Sequence, residues 1–231
     1  MPYNISVIKG RSHCPSCKKQ IRWFDNIPLL SYIILKAKCR DCSANIESKY
    51  FIVELVSALS FVFIFYLFGF TSTTILFFIL SICFLIIIFI DLKHFIIPNE
   101  ITYTLIAIGF LKSFDPTLNQ YLFPNHINSL IGGVVGYSII WIIIFVYKKL
   151  RNKEGMGLGD AKLLSALGFW FGWISIPFIL FFSSIVALGF AIPSLMNKSK
   201  TMSSQIPFGP YLVLGCVLYL SLLEQIILYL N

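Results

Sequence analysis

Long hydrophobic runs separated by short polar segments dominate the chain after residue 50. An α-helix rises 1.5 Å per residue, so about 20 apolar residues are needed to cross the roughly 30 Å hydrocarbon core of a bilayer. On this measure the pattern predicts about seven transmembrane helices. The predicted segments are about Tyr50–Phe70, Thr73–Ile90, Phe95–Leu111, Ile127–Tyr147, Ala161–Trp173, Ile174–Met196 and Phe208–Leu230.

Composition agrees with this pattern. Of 231 residues, 58% are hydrophobic and only 12% are charged, which is typical of a polytopic membrane protein and excludes an ordinary soluble domain. We therefore predict an all-α protein in the lipid bilayer. Residues 1–49 are predicted to form a small cytoplasmic domain, and residues 50–231 the transmembrane domain. Met1–Tyr50 is polar and lacks an apolar core region, so we expect no cleavable signal peptide.

The positive charge is concentrated in a few short segments and predicts the orientation. Placing Met1–Lys49 in the cytoplasm puts 17 of the 18 Lys and Arg residues on that side, and leaves Lys112 alone outside. The net charge of +8 therefore indicates membrane topology, and we expect no nucleic-acid partner. The predicted inside connections are near residues 91–94, 148–160 and 197–207, and the outside ones near 71–72, 112–126 and 173–174.

Two C-x-x-C pairs precede the first predicted span, namely Cys14 with Cys17 and Cys39 with Cys42, with 21 residues between Cys17 and Cys39. Two such turns can supply four thiolates to one tetrahedral zinc ion, as in a zinc ribbon. A segment of this size buries little apolar surface, so a structural metal is a reasonable means of holding it together. The alternatives are disulfides or unpaired thiols, although structural disulfides are rare in the cytoplasm.

The other two cysteines, Cys83 and Cys216, lie inside apolar runs at unrelated positions. We expect them to pack as small hydrophobic residues and exclude them from the metal site. A site closed by four thiolates has no open coordination position, so the predicted zinc is structural.

Asp91 lies where the second predicted span ends, next to Lys93 and His94. The dipole at a helix C-terminus disfavours an anion, so helix capping does not explain this residue. An aspartate near hydrocarbon costs about 2.5–3.5 kcal/mol at a helix centre and less near the interface, which is why such residues usually have a function. The structural alternative is a salt bridge to Lys93 or a hydrogen bond to His94.

Asp160 follows a loop in which Gly155, Gly157 and Gly159 alternate with other residues. Aspartate is a favoured helix N-cap, which is the structural alternative for this residue. Three glycines are more than a cap requires, and they allow the backbone to pass close to another helix or to an extended peptide. The loop lacks the Gly-Lys-Ser/Thr of a phosphate-binding loop and the strand context of a dinucleotide site, so it does not predict nucleotide binding.

The predicted topology places both aspartates at one depth on one side of the membrane. Two neighbouring carboxyl groups do not both ionise readily, so one acts as a base on water while the other, protonated, serves as an acid. That arrangement can hydrolyse a peptide bond without a covalent intermediate. The chain has no Gly-x-Ser-x-Gly elbow and no H-E-x-x-H pair, so serine and zinc peptidase chemistry are disfavoured.

Five stretches occur in a fixed order over nearly the whole chain. They are the two C-x-x-C pairs, Asn26-Ile27-Pro28 followed by Ser31, the segment from Asp91 to Pro98-Asn99, the loop Gly155–Leu163, and Ile206-Pro207-Phe208-Gly209-Pro210. In this order they resemble the type IV prepilin leader peptidases, bacterial membrane enzymes of the Gly-x-Gly-Asp aspartic protease type. Members with the cysteine domain usually carry one more hydrophobic span before it, where this chain has Met1–Gly10.

The resemblance implies that Asp91 and Asp160 are the catalytic pair. It implies cleavage of prepilin or pseudopilin precursors at the cytoplasmic face of the bacterial inner membrane, after a glycine that ends a short basic leader. It also implies N-methylation of the new N-terminal residue from S-adenosylmethionine, for which the sequence itself indicates no binding residues. Glu54 matches an acidic position of the family, either facing the bundle or forming a buried pair.

A second hypothesis is a small transporter in which the two carboxylates relay protons or bind a cation, with the zinc ribbon as a docking module. It predicts acids near the middle of the membrane and discontinuous helices paired by an internal repeat. The sequence shows no such repeat, so the peptidase is the preferred hypothesis.

Overall fold

The computed structural model describes residues 12–118, 122–151, 156–196 and 207–230. Within these ranges the structure is helical, and the chain divides into two compact units, Met1–Gly69 and Phe70–Asn231. The division groups the first long helix with the cysteine region. Our predicted boundary between residues 49 and 50 separates cytoplasm from membrane and stays a prediction. Met1–Gly10, Gly155 and Ile206 lie outside the described residues, as do Arg11, Lys153, Lys198 and Lys200 among the lysines and arginines counted above.

The N-terminal unit consists of two cysteine-bearing turns, a short 3-10 turn at Trp23–Asn26, and two helices, α1 (Leu30–Ile34) and α2 (Ser48–Phe68). An antiparallel bridge closes each cysteine turn, His13 with Gln20 and Lys38 with Asn45. Helix α2 is 21 residues long, has no buried residue and is apolar apart from Ser48, Lys49, Glu54, Ser57 and Ser60. These features suit a helix that lipid surrounds.

The described residues of the second unit form six further helices. Helix α3 begins after the N-cap Thr71, whose side chain accepts a hydrogen bond from the N–H of Thr74. It ends where Phe95 adopts a left-handed conformation, and Pro98 then precedes α4. The bounds are α3 (Ser72–His94), α4 (Asn99–Lys112), α5 (His126–Arg151), α6 (Leu158–Phe171), α7 (Ser175–Met196) and α8 (Gly209–Leu230).

A helix occupies each of the seven predicted segments, which confirms the all-helical prediction. Four helices of the described chain are long and apolar enough to cross a membrane, at Ser48–Phe68, Ser72–His94, His126–Leu150 and Ser175–Ile192. A shorter apolar helix covers Gly209–Leu223. Helices α4 and α6 have 14 residues each, a length of about 21 Å. Helix length therefore identifies four of the seven helices as candidate membrane spans and does not decide the others.

Several of the approximate predicted boundaries differ from the structure by up to four residues, and the local sequence explains two of these differences. The third segment begins at Asn99 and not at Phe95, because Pro98 lacks the N–H that a helix interior requires. The fifth ends at Phe171, because Gly172 takes a positive φ of 79°, a conformation that glycine adopts without steric cost.

Helix α6 forms the core of the second unit. Ten of its 14 residues are buried, and Trp170 is fully buried. The indole N–H of Trp170 donates to the carbonyl of Leu105 on α4 at 2.8 Å. The hydroxyl of Ser165 donates to the carbonyl of Gly133 on α5, also at 2.8 Å. These bonds satisfy polar groups that would otherwise be costly in an apolar interior.

Glycines allow α5 and α6 to approach each other closely. A Cβ atom added to Gly168 would lie 2.1 Å from the carbonyl oxygen of Gly132, and one added to Gly136 would lie 2.7 Å from the carbonyl oxygen of Leu164. Gly132 and Gly136 form a Gly-x-x-x-Gly pattern, the arrangement with which membrane helices bring their backbones together. We did not predict this contact, although the pattern that signals it is present in the sequence.

Lys112 caps the far end of α6. Its ammonium group donates to the carbonyl of Trp170 at 2.8 Å and lies 3.9 Å from the ring centroid of Phe123. A cation beside the last carbonyls of a helix is favourable, and aromatic rings add a cation–π attraction. Only 6% of Lys112 is exposed. The one lysine that we assigned to the outside is therefore a buried structural residue.

We predict that Gly168→Ala destabilises the protein. The added methyl group meets backbone, which cannot rotate away, so the expected loss is about 1–3 kcal/mol of unfolding free energy. Gly189→Ala on α7 is the matched control, since a Cβ there meets nothing within 4 Å. Thermal unfolding of both purified variants in detergent measures the difference. Equal unfolding temperatures would contradict the close α5–α6 contact.

Candidate active site

Asp91 lies in the last turn of α3, and only 4% of it is exposed. Its carboxylate accepts a hydrogen bond from the backbone N–H of Gly209 at 3.0 Å. Gly209 is the first residue of α8, so the carboxylate lies at a helix N-terminus, where N–H groups lack intrahelical partners and the dipole favours an anion. Helix α8 thus offsets the unfavourable position of Asp91 at the end of α3.

Gly209 is required for this contact. A Cβ atom on Gly209 would lie 2.7 Å from Oδ2 of Asp91 and 3.0 Å from Cδ1 of Ile97. In the sequence this glycine belongs to one of the ordered motifs, but we assigned it no role there. The available signal was the Gly209-Pro210 pair, since proline in the first turn marks the start of a helix. What the sequence could not reveal is that this helix start faces Asp91.

Asp160 is the third residue of α6 and is 7% exposed. Its Oδ2 accepts from the N–H of Gly157, the N-cap residue, at 3.3 Å. This is the carboxylate half of a capping box. We weighed Asp160 as the N-cap itself, but the helix begins at Leu158, so the N-cap is Gly157. The carboxyl group therefore has a local structural role in addition to any chemical one.

Ile97 connects the two acid-bearing elements. A Cβ on Gly159 would lie 3.1 Å from the Cβ of Ile97, while Cδ1 of the same side chain packs against Gly209 beside Asp91. Ile97 is buried. The absence of side chains at Gly159 and Gly209 thus lets the starts of α6 and α8 close around one isoleucine.

Asp91 and Asp160 approach the same side chain, because Ile97 packs against Gly159, which precedes Asp160, and against Gly209, whose N–H binds Asp91. Residues 69 positions apart in the chain are thereby brought to one buried location. The hydrogen bonds to the two carboxyls in the described part of the chain come from the glycine N–H groups. No ion pair joins Asp91 to Lys93 among the described residues, so the salt-bridge alternative has no support.

The four predicted cysteines form one cluster in the N-terminal unit. Their sulfur atoms all lie within 4.8 Å of one another, and the sulfurs of Cys14 and Cys42 are 3.8 Å apart. A tetrahedron with metal–sulfur bonds of about 2.3 Å has sulfur–sulfur edges of about 3.8 Å. The spacing therefore fits a tetrahedral metal and is too long for a disulfide. None of the six cysteines forms a disulfide.

The two cysteine turns repeat the same local structure 25 residues apart. Lys18 N–H donates to the carbonyl of Cys14, and Ser43 N–H donates to the carbonyl of Cys39, each at 2.9 Å. Both donors have a positive φ, 57° and 54°. This repeat is short and carried by backbone geometry, with few identical residues, so the sequence alone did not reveal it.

Backbone groups favour the thiolate form at one ligand position. The N–H groups of Cys17 and then Ser16 lower the pKa of the Cys14 thiol to about 6. The thiolate is the form that binds metal. At Cys42 the N–H of Ala44 lowers the pKa, but burial and the neighbouring sulfurs raise it to about 12, so the argument for a preformed thiolate applies to Cys14.

Comparison with known proteins gives the wider class. Residues 77–192, which include both aspartates, match the Type IV leader peptidase family. Residues 1–68 match the Bacterial Peptidase A24 N-terminal domain. The chain therefore belongs to the type IV leader peptidase family, as its resemblance to this family predicted.

The chain is also similar to bacterial proteins called prepilin leader peptidase/N-methyltransferase. The chain is 38% identical over 217 residues to the one from Aeromonas salmonicida, covering 92% of this chain and 71% of the relative. It is 35% identical over 214 residues to that of Pseudomonas aeruginosa, with 92% and 71% covered. For Neisseria gonorrhoeae the identity is 34% over 211 residues, with 91% and 71% covered. No solved structure matches the chain significantly.

We predict that Cys14→Ser and Cys39→Ser each lower the bound metal and the thermal stability of the N-terminal unit. Removing one thiolate opens the coordination shell, and part of the folding free energy of such a small unit comes from the metal. Elemental mass spectrometry of the purified protein measures the metal content.

Cys83→Ser is the matched control, because Cys83 lies on α3 and is not part of the cluster. It should retain the full metal content. Unchanged metal in the Cys14 and Cys39 variants would rule out the cluster as the binding site.

Proposed function

We propose that this protein is a prepilin leader peptidase that hydrolyses its substrate with Asp91 and Asp160. The observation that carries the proposal is the convergence of the two acids around Ile97, Gly159 and Gly209. Membership in the family and the names of the relatives support prepilin precursors as substrates, and our proposal includes pseudopilin precursors. Cleavage takes place at the cytoplasmic face of the bacterial inner membrane.

The mechanism uses a water molecule between the carboxyls. The ionised carboxylate removes a proton from the water as its oxygen attacks the scissile carbonyl carbon. The other carboxyl, still protonated, donates its proton to the departing amine nitrogen when the carbon–nitrogen bond breaks. Each acid ends the step in the opposite protonation state, and one proton exchange with solvent restores the pair.

The glycine contacts support this use of the acids. A backbone N–H stabilises a carboxylate but adds no full positive charge, so each group remains able to gain or lose a proton. A lysine or arginine partner would hold a carboxylate in its ionised form. The start of α8 at Asp91 and the start of α6 at Asp160 therefore suit acid–base chemistry.

The second activity proposed is N-methylation of the new N-terminal residue, with S-adenosylmethionine as methyl donor. This part rests on the names of the relatives. The donor supplies an electrophilic methyl group to the amine that cleavage releases. The chain's own contribution is to generate that amine beside Asp91 and Asp160.

Zinc is the metal we propose for Cys14, Cys17, Cys39 and Cys42. Four thiolates at tetrahedral spacing suit zinc, and such a closed site leaves no position for substrate. The zinc therefore stabilises the N-terminal domain, residues 1–49, in the cytoplasm. The transmembrane domain, residues 50–231, is proposed to cross the membrane with all seven helices, the short α4 and α6 included.

The transporter hypothesis receives no support from the position of the acids. Asp91 is three residues from the end of α3, and Asp160 is the third residue of α6. A relay across the bilayer calls for ionisable groups near its middle. Acids at helix ends suit a reaction at the membrane surface.

We predict that Asp91→Asn and Asp160→Asn each abolish leader cleavage, with a rate loss of about 10²–10⁴-fold or more. The amide keeps the shape of the carboxyl but cannot take up or release the proton. The assay follows a purified prepilin in detergent by mass spectrometry, which reads leader loss and gain of one methyl group separately.

Asp115→Asn is the control, because Asp115 lies in an exposed turn where it binds Thr117. It should cleave at the wild-type rate. Retained cleavage in either of the other two variants would defeat the proposed dyad.

A further prediction concerns Gly209→Ala, which should lower kcat by about 100-fold because a small misplacement of a catalytic group is costly. The added methyl group displaces the carboxylate of Asp91, while remote substrate contacts and KM change little. Gly189→Ala serves as the control for a helical glycine in open space. A normal kcat in Gly209→Ala would show that this contact does not position Asp91.

A further inference from the structure

In the N-terminal unit, four large apolar side chains that precede α2 are more than half exposed. Trp23 is 74% exposed, Leu30 58%, Ile33 62% and Ile34 70%. We call these four residues the interfacial patch. They come from the 3-10 turn and from α1, a few residues before the second cysteine turn.

Two contacts fix the position of α1 along the axis of α2. The backbone N–H of Leu29 donates to Oε2 of Glu54 at 2.8 Å. The ring of Tyr32 stacks on that of Phe51 with centroids 5.0 Å apart. Both partners lie in the first two turns of α2, so α1 lies beside the beginning of that helix.

The length of α2 allows the position of α1 along that helix to be converted into a depth in the bilayer. Its 21 residues measure about 31 Å, nearly the roughly 30 Å of hydrocarbon, so almost the whole helix is needed to cross. Glu54 is the seventh residue of α2, about 9 Å from its start. A segment bonded to Glu54 therefore lies no more than about 9 Å below the edge of the hydrocarbon, within the roughly 5–10 Å to which interfacial segments insert below the headgroups.

The segment that carries the patch is held in place by polar contacts. The hydroxyl of Ser31 donates to the carbonyl of Phe24 at 2.8 Å and accepts from the N–H of Ile27 at 3.1 Å. Arg40 donates twice to Asp25, which joins the 3-10 turn to the second cysteine turn. The patch is thus a preformed surface and needs little ordering to bind.

Exposed cations flank the patch. Arg22 precedes Trp23 directly, and Lys36 and Lys38 follow Ile34 within four residues. Basic residues next to aromatic and aliphatic ones are typical of a surface that binds an anionic bilayer, because the cations meet the headgroups while the apolar side chains enter the acyl boundary.

We propose that the interfacial patch inserts into the leaflet at the N-terminal end of α2 and docks the four-cysteine cluster on the membrane surface. The occupant is the headgroup–acyl boundary of a bilayer containing anionic lipid. The proposal goes beyond the peptidase assignment and rests only on α2 as a membrane span.

The test is photo-crosslinking of the full-length protein in nanodiscs of phosphatidylethanolamine and phosphatidylglycerol. Ile33→p-benzoylphenylalanine and Ile34→p-benzoylphenylalanine place a photoreactive group on the patch. Tyr66→p-benzoylphenylalanine is the positive control, since Tyr66 is 83% exposed near the other end of α2. Lys19→p-benzoylphenylalanine is the negative control, on the first cysteine turn with its side chain 64% exposed. Mass spectrometry identifies the adducts.

The expected result is a lipid adduct on the peptides that carry positions 33, 34 and 66, and no lipid adduct on the peptide that carries position 19. Crosslinks from position 33 or 34 to residues 70–231 or to a second copy of the chain would overturn the proposal, because protein would then cover the patch. Absence of lipid adducts at 33 and 34, or at 66, would overturn it as well. Crosslinking needs no catalysis, so its outcome is independent of whether a prepilin is cleaved.

Discussion

The close contact between α5 and α6 is the constraint on which the second unit depends. Gly132 and Gly168 meet backbone to backbone, with no room for a Cβ on either. In a bilayer, lipid tails are as apolar as leucine, so helix association relies on dense packing and interhelical hydrogen bonds. The glycines provide the first, and Ser165 bonding to Gly133 provides the second. Together they hold α6 in the interior, where its first turn carries Asp160.

The two ends of α6 are satisfied in complementary ways. The carboxyl of Asp160 accepts from the N-cap Gly157, and the ammonium of Lys112 donates to Trp170 at the other end. Each charge has the sign that the helix dipole favours at its end. Asp91 follows the same rule through a different helix, because it lies at the start of α8. Buried charges in this unit are thus tolerated where helix ends supply partners.

The sequence was sufficient to predict the helices and the four-cysteine cluster, since both depend on local patterns. Hydropathy located all seven segments, and the C-x-x-C spacing selected Cys14, Cys17, Cys39 and Cys42 without Cys83. It could not predict that Gly209 would contact Asp91, because 118 residues separate them. Nor did it predict that Lys112 would be buried, since a cation can be buried when a helix C-terminus and aromatic rings surround it.

The use of glycine rather than a cation beside the acids has a chemical consequence. A lysine or arginine in contact with a buried carboxylate binds it as an ion pair, and breaking such a pair is costly. The N–H of Gly209 or Gly157 costs less to give up when the carboxyl takes a proton. Glycine also adds no side chain, so Ile97 can occupy the space between the starts of α6 and α8. The same residue type therefore brings the acids together and leaves their protons exchangeable, which are the two conditions that hydrolysis by paired carboxyls requires.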